Sequence, residues 1–232
     1  MERIKKDDDW TIFTKDQTPD LHDLYGNAFN VRYEQYEKMA QDGKIKLFKV
    51  IKAKDLWKKM IGMLFETGHP WICFKDPSNI RSPQDHVGVI HSSNLCTEIM
   101  LNTSDNETAV CNLGSINLAK FVTKNKTIDR DLLQKVIRSS VRMIDNTVDI
   151  NYYPTEDSKA SNMKHRPIGL GVRGYHDALY GMDILFDTNE AVDFADESME
   201  LMSYYTILSS SELAREKGKY QSYEGSKWSR GI

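Results

Sequence analysis

The segment at 129–150, DRDLLQKVIRSSVRMIDNTVDI, constrains the fold more than any other. It places Leu132, Leu133, Val136, Ile137, Val141, Ile144 and Val148 at three- and four-residue intervals behind Asp129. That spacing is one apolar face of an α-helix, with Asp129 as its N-cap. Such a face has to be buried against something. A second long helix is expected over about 188–217, opening at Thr188 with acids in its first turns and stopping at Gly218. A third, KAKDLWKKMIGMLFETG, repeats Leu56, Met60, Met63 and Leu64 and stops at Gly68. A fourth is expected over 21–40, capped by Asp20.

Short segments separate these helices. KIKLFKVIKAK (44–54) reads as a short strand or the lead into a helix, and HPWICFKD (69–76) as a short buried strand. VCNLGSINLAKFV (110–122) reads as a strand end passing into a short helix. PSNIRSPQDHVGVIH (77–91), LNTSDNETA (101–109) and YYPTEDSKASNMKHRP (152–167) read as loops, and the last residues, KWSRGI, as an abrupt stop with no cap and no terminal helix. Helices alternating with short strands favour an α/β fold with parallel or mixed strands. The pattern alone does not choose a barrel.

Composition excludes several function classes. Thirty-one Lys+Arg against 34 Asp+Glu give a net charge of -3, which argues against a protein that coats nucleic acid. No apolar run approaches the roughly 20 residues of a membrane span. The start, MERIKKDDDW, lacks the apolar core of a secretory signal. Three cysteines, Cys73, Cys96 and Cys111, are not a disulfide framework, so a reducing cytoplasm is expected.

Two motifs invite sharp readings that the context weakens. Gly169, Gly171 and Gly174 spell G-x-G-x-x-G, but Pro167 precedes them and no acid follows at a convincing strand end. Close packing at a helix start is the better reading. His69, Cys73, His86, His91 and Cys96 fall in a short span, yet none makes the tight pairs that structural zinc sites use, and no metal is expected here. Cys73, flanked by apolar neighbours, reads as a small buried hydrophobe.

SSNLCTEIML (92–101) is different. Asn94, Cys96 and Glu98 alternate, so on an extended chain their amide, thiol and carboxylate would share one side. The bland alternative is the polar face of a strand with an incidental thiol. A hairpin-like return in AVCNLGSINL could bring Cys111 near Cys96.

SNLCTEI (93–99) followed by VCNLGSINL (110–118) resembles the large, catalytic subunit of class I ribonucleoside-diphosphate reductases. PDLHDLYGNAF (19–29), ETGHPWICFKD (66–76) and RPIGLGVRGYHDALY (166–180) resemble the same family, in the same order. The flavour is that of aerobic enzymes, phage-borne ones among them. The resemblance implies part of a ten-stranded α/β barrel over 1–232, with the active-site cysteine on a finger loop. It implies that Cys96 forms a thiyl radical, that Glu98 takes the 3′-hydroxyl proton, and that Asn94 and Ser93 hold the substrate sugar with Glu98. Cys111 would be one thiol of the reducing pair. It implies no cofactor bound by this chain, a radical supplied by a metal-containing small subunit, and thioredoxin or glutaredoxin as dithiol reductant. The family's chains extend further both ways, so this sequence is expected to be a middle segment, from a split gene or a truncation. It would work with the remaining large-subunit fragments on ribonucleoside diphosphates in the cytoplasm, or a host's cytoplasm if phage-encoded. The alternative is a non-catalytic remnant or assembly module.

Overall fold

The computed structural model describes residues 1–232. The chain divides into two compact units, the first made of Met1–Ser104 with Ser226–Ile232 and the second of Asp105–Gly225. The first unit begins with α1 (Glu2–Lys6), β1 (Asp9–Phe13), a 3-10 turn (Pro19–Asp23), α2 (Gly26–Gln41), β2 (Phe48–Lys52), α3 (Ala53–Thr67) and α4 (Lys75–Arg81). The second holds β3 (Leu113–Asn117), a 3-10 turn (Leu118–Phe121), α5 (Arg130–Ile150), α6 (Glu156–His165), β4 (Gly169–Arg173), α7 (Tyr175–Met182) and α8 (Asn189–Lys217). The chain then returns to the first unit as α9 (Lys227–Arg230). All four tryptophans, Trp10, Trp57, Trp71 and Trp228, belong to the first unit.

In the first unit, β1 and β2 pair antiparallel, Asp9 opposite Lys52 and Phe13 opposite Phe48. The helix α2 lies against them through aromatic side chains. Tyr33 is buried, and its hydroxyl accepts from Thr11 N and donates to Thr11 O, both at 2.7 Å. Burial, the leading cause, pushes the Tyr33 phenol up to about 12. Tyr36, Ala40 and Ile45 form a small core with Phe13, Leu21 and Met39 beside it.

The second unit is built as its strongest sequence feature requires. Asp129 caps α5 by accepting from Leu132 N at 3.0 Å. The buried stripe is Leu133, Ile137, Val141, Ile144 and Val148, with Leu132 turned outward. This face meets α8, and Met202 and Leu213 close the core with Ile116 of β3. Strands β3 and β4 pair in parallel, Leu113 opposite Gly169 and Asn117 opposite Arg173. A second cluster joins Leu118 to Ala178 and Leu179 of α7 and to Ala191 and Phe194 of α8.

Close packing holds at Gly169 and Gly174 but not at Gly171, where nothing stands within 4 Å of an added Cβ, and Gly169 and Gly171 lie inside β4 rather than at a helix start. A Cβ on Gly169 would stand 2.7 Å from Leu113 Cδ2. At Gly174, the N-cap of α7 with φ 71°, a Cβ would stand 2.4 Å from Asn117 Oδ1, so both the space and the backbone require glycine.

Several expectations are corrected. Residues 21–40 are not one helix: a 3-10 turn precedes α2, and Asp20 caps nothing but pairs with Arg32 and Tyr36. HPWICFKD is not a buried strand. It runs without regular structure to α4, Cys73 is exposed and Trp71 half-exposed, because no neighbouring strand pairs with it. Part of 77–91 is helical as α4, and 156–165 is the helix α6, capped by Thr155. The polar start holds α1 and β1. The last residues form α9, with Ser226 accepting from Ser229 N and Gly231 in the left-handed conformation.

Candidate active-site loop

Asn94, Cys96 and Glu98 do not alternate along a strand. They lie on an irregular loop whose turn is closed by Thr97 N donating to Asn94 O at 3.2 Å. Thr97 has φ 65°, which reverses the chain and breaks the two-residue alternation. The Asn94 side chain organises the turn. Its Oδ1 accepts from Ile99 N and from Ser93 Oγ, each at 3.2 Å, and Ser93 Oγ lies 2.8 Å from Ile99 O. This leaves the Asn94 amide nitrogen as an open donor. Cys96 and Glu98 are exposed, and neither side chain makes a hydrogen bond or ion pair. Leu95 is 96% exposed, so the tip packs on nothing in its own unit.

The base of the loop is firmly held. Asn79 of α4 is buried, and its side chain makes both bonds a neighbouring strand would make: Oδ1 accepts from Ile90 N at 2.8 Å, and Nδ2 donates to Ile90 O at 2.9 Å. His91 Nδ1 lies 2.8 Å from Thr103 Oγ1, and His91 Nε2 lies 2.7 Å from Asp23 Oδ1. The His91 ring stacks on His22, with centroids 4.3 Å apart and planes 6° apart. The hydrogen bond from His91 holds the Asp23 carboxyl below its usual range. Burial, then the neighbouring His91, pushes His22 down from 6.5. Neither Asn79 nor Thr103 stands out in the sequence. His91 stands out only as one of several scattered histidines, so no sequence signal marks this framework.

Cys111 belongs to the second unit, exposed just ahead of β3. The residue behind it is fixed. Asn112 donates to Asn162 Oδ1 at 2.8 Å and to Pro167 O at 2.9 Å, and its own carbonyl accepts from Gly169 N at 2.9 Å. Asn162 of α6 is fully buried and also bonds Tyr153. Nearby in sequence, Glu107 binds His165 Nε2 at 2.8 Å and pairs with Lys164. Burial alone would raise Glu107, but the hydrogen bonds from His165 and Lys164 outweigh it and hold the carboxyl low. A cleft of about 490 Å³ in the first unit, lined by Arg3, Asp9, Thr11, Glu37 and Phe48, includes none of the residues 93–98.

An exposed cysteine stands on this loop between an amide and a carboxylate in sequence, in a chain of mixed helix and strand. The whole chain, residues 1–232, matches the family described as "Ribonucleotide reductase, barrel domain", and the chain belongs to that family. The ribonucleoside-diphosphate reductase subunit alpha of Chlamydia trachomatis is 56% identical over 232 residues, and that of Chlamydia pneumoniae 53% over 231. The ribonucleoside-diphosphate reductase large chain of Cryptosporidium parvum is 41% identical over 233 residues. Each alignment covers 100% of this chain, which spans 22%, 22% and 28% of the respective relatives' lengths. The α/β architecture and the resemblance in the motifs are thus borne out. No helix is long and apolar enough to cross a membrane.

Proposed function

We propose that this chain is a segment of the catalytic barrel of a ribonucleoside-diphosphate reductase and that Cys96 is its radical-bearing residue. The observation that carries the reading is the loop itself, in which an unpaired thiol, an unpaired carboxylate and an open amide donor sit within five residues of a turn fixed by Asn94. The radical reaches Cys96 from a separate, metal-containing small subunit. The Cys96 thiyl takes the hydrogen atom from C3′ of the ribose, forming an S–H bond and leaving a carbon radical. Glu98 accepts the 3′-hydroxyl proton as a general base, a role a neutral thiol cannot fill. Asn94 and Ser93 hold the sugar hydroxyls, since atom transfer demands contact geometry.

The 2′-hydroxyl then leaves as water, protonated by a thiol of the reducing pair. Cys111 is one member of that pair. The other comes from a segment outside these residues, because Cys73 has no counterpart role. The remaining thiol hydrogen of the pair forms the new C2′–H bond. One further electron passes from the pair to the resulting 3′-ketone as Glu98 returns its proton to the 3′-oxygen. The pair ends as a disulfide, which a thioredoxin or glutaredoxin resets by exchange. Cys96 returns its hydrogen atom to C3′ and regains the radical. On this reading residues 1–232 form one partial barrel domain that works with the remainder of the large subunit, in the cytoplasm.

The test uses the complete catalytic chain with its small subunit. Glu98→Gln keeps shape and hydrogen bonding but cannot accept a proton, so turnover should fall by about 10²–10⁴-fold. Cys111→Ser leaves radical formation and the base intact and removes the reductant. It should give substrate-dependent radical decay with release of free base. Base release from Glu98→Gln and none from Cys111→Ser would reverse the two assignments.

A further inference from the structure

The loop that carries Cys96 runs within the first unit from His91 to Thr103, and the His91 ring bonds the far root at Thr103. Its Nδ1 meets Thr103 Oγ1 and its Nε2 meets Asp23 at the end of the Pro19–Asp23 turn, while one ring face lies on His22. The His91 side chain is 14% exposed and its bond to Thr103 is half-buried, while Asp23 stands 65% exposed at the outer end of the contact. We propose that His91 is a positioning residue for Cys96, locking the two roots of the loop together and anchoring them to the Pro19–Asp23 turn. This rests on the radical role given to Cys96 above.

Three features make His91 suited to the task. The tip packs on nothing, because Leu95 and Cys96 are exposed and only local bonds among residues 93–99 shape them. The clamp also survives a change of protonation. The Asp23 carboxylate only accepts, so Nε2 carries a hydrogen. The Thr103 hydroxyl can donate to a bare Nδ1 or accept from a protonated one. Both bonds therefore persist in either state of the ring. Finally, the stack on His22 fixes the ring plane, so the two nitrogens keep their directions. The demand is steep, because a misplacement of about 1 Å can cost about a hundredfold in rate.

The experiment uses the complete catalytic chain with its radical donor and reads two things. Amide exchange is followed at Thr97, Ile99 and Thr103, whose N–H groups are all hydrogen-bonded in or beside the loop. His91→Ala and Thr103→Val should each speed that exchange by about tenfold or more. His91→Gln, which again offers an acceptor beside a donor, should restore most of the protection. Turnover should fall through kcat by about ten- to a hundredfold in His91→Ala, with KM changed by less than about threefold. Thr103→Val leaves the ring and its stack in place, so it carries the test if His91→Ala does not fold. Unchanged exchange in Thr103→Val and in any folded His91→Ala overturns the clamp, whatever turnover does. Faster exchange with unchanged kcat overturns the positioning role. Turnover that survives Cys96→Ser overturns the radical reading instead, and leaves the exchange result standing.

Discussion

At the scale of the residue, three cysteines are all exposed, so burial does not sort them. Their neighbours do. Cys96 sits at a turn with Asn94 and Glu98 two residues to either side, whereas Cys73 lies in a stretch without regular structure between Ile72 and Phe74. Cys96→Ser is therefore expected to abolish turnover in the complete enzyme, and Cys73→Ala to keep most of it. Equal loss in both variants would show that the thiols have been sorted wrongly. A second prediction concerns acid. Burial and the adjacent His91 hold His22 below 6.5, aided by Lys15 and Lys75 and opposed by Asp23. The unfolded chain then binds this proton more readily than the folded one. Stability from the site is intact above about 6.5 and drains away as pH falls through the lowered value. Exchange at Thr97 and Thr103, corrected for its intrinsic pH dependence, should rise below about pH 6.5, and His22→Phe, which keeps a flat ring without a proton, should flatten that rise.

At the scale of the element, the helices legible in the sequence are those that bury apolar stripes. In α5 the cap and the stripe were both readable. Asp129→Ala should cost about 1 kcal/mol, visible as a lower denaturant midpoint with an unchanged slope. Leu133→Ala, at a fully buried position, should cost about 2–5 kcal/mol in the same measurement. The helix α6 was not readable, and the reason is physical. Its inward side is Ser158, Ser161, Asn162 and His165, so it has no hydrophobic period to detect. Its ends did carry a signal: Thr155 ahead of Glu156 and Asp157, with Lys164 and His165 in the last turn. The opposite error occurred at 69–76 and 92–98, where apolar runs or alternation imitate strands. A strand exists only where a partner completes its ladder, and a single sequence does not say where that partner is. The proposed trio of Asn94, Cys96 and Glu98 was legible as a set of residue types, and the framework of Asn79, His91 and Thr103 beneath it was not, because those contacts join positions that are not neighbours in the chain.

At the scale of the whole molecule, both sheets have only two strands, and several helices show apolar side chains to solvent. In α3 only Ala53 is buried, although Ile61, Met63 and Phe65 are exposed, Phe65 by 91%. In α8, Val192, Tyr204 and Ile207 are likewise exposed. Two-stranded sheets are marginal by themselves, and contiguous apolar surface attracts partners. The 232-residue chain on its own is expected to bind a hydrophobic dye strongly, to associate in size-exclusion chromatography, and to form no deoxyribonucleotide. A dye-silent monomer with turnover would contradict the reading of this chain as one segment of a larger catalytic barrel. The placement of the indoles has a practical consequence. With Trp10, Trp57, Trp71 and Trp228 all on one side of the division, ultraviolet emission from this chain is a private optical channel for the half that carries Cys96. Far-ultraviolet ellipticity sums the helices of both halves, so a change in it without a change in indole emission reports on the half that holds α5 and α8, and the two can be followed in one cuvette without a label.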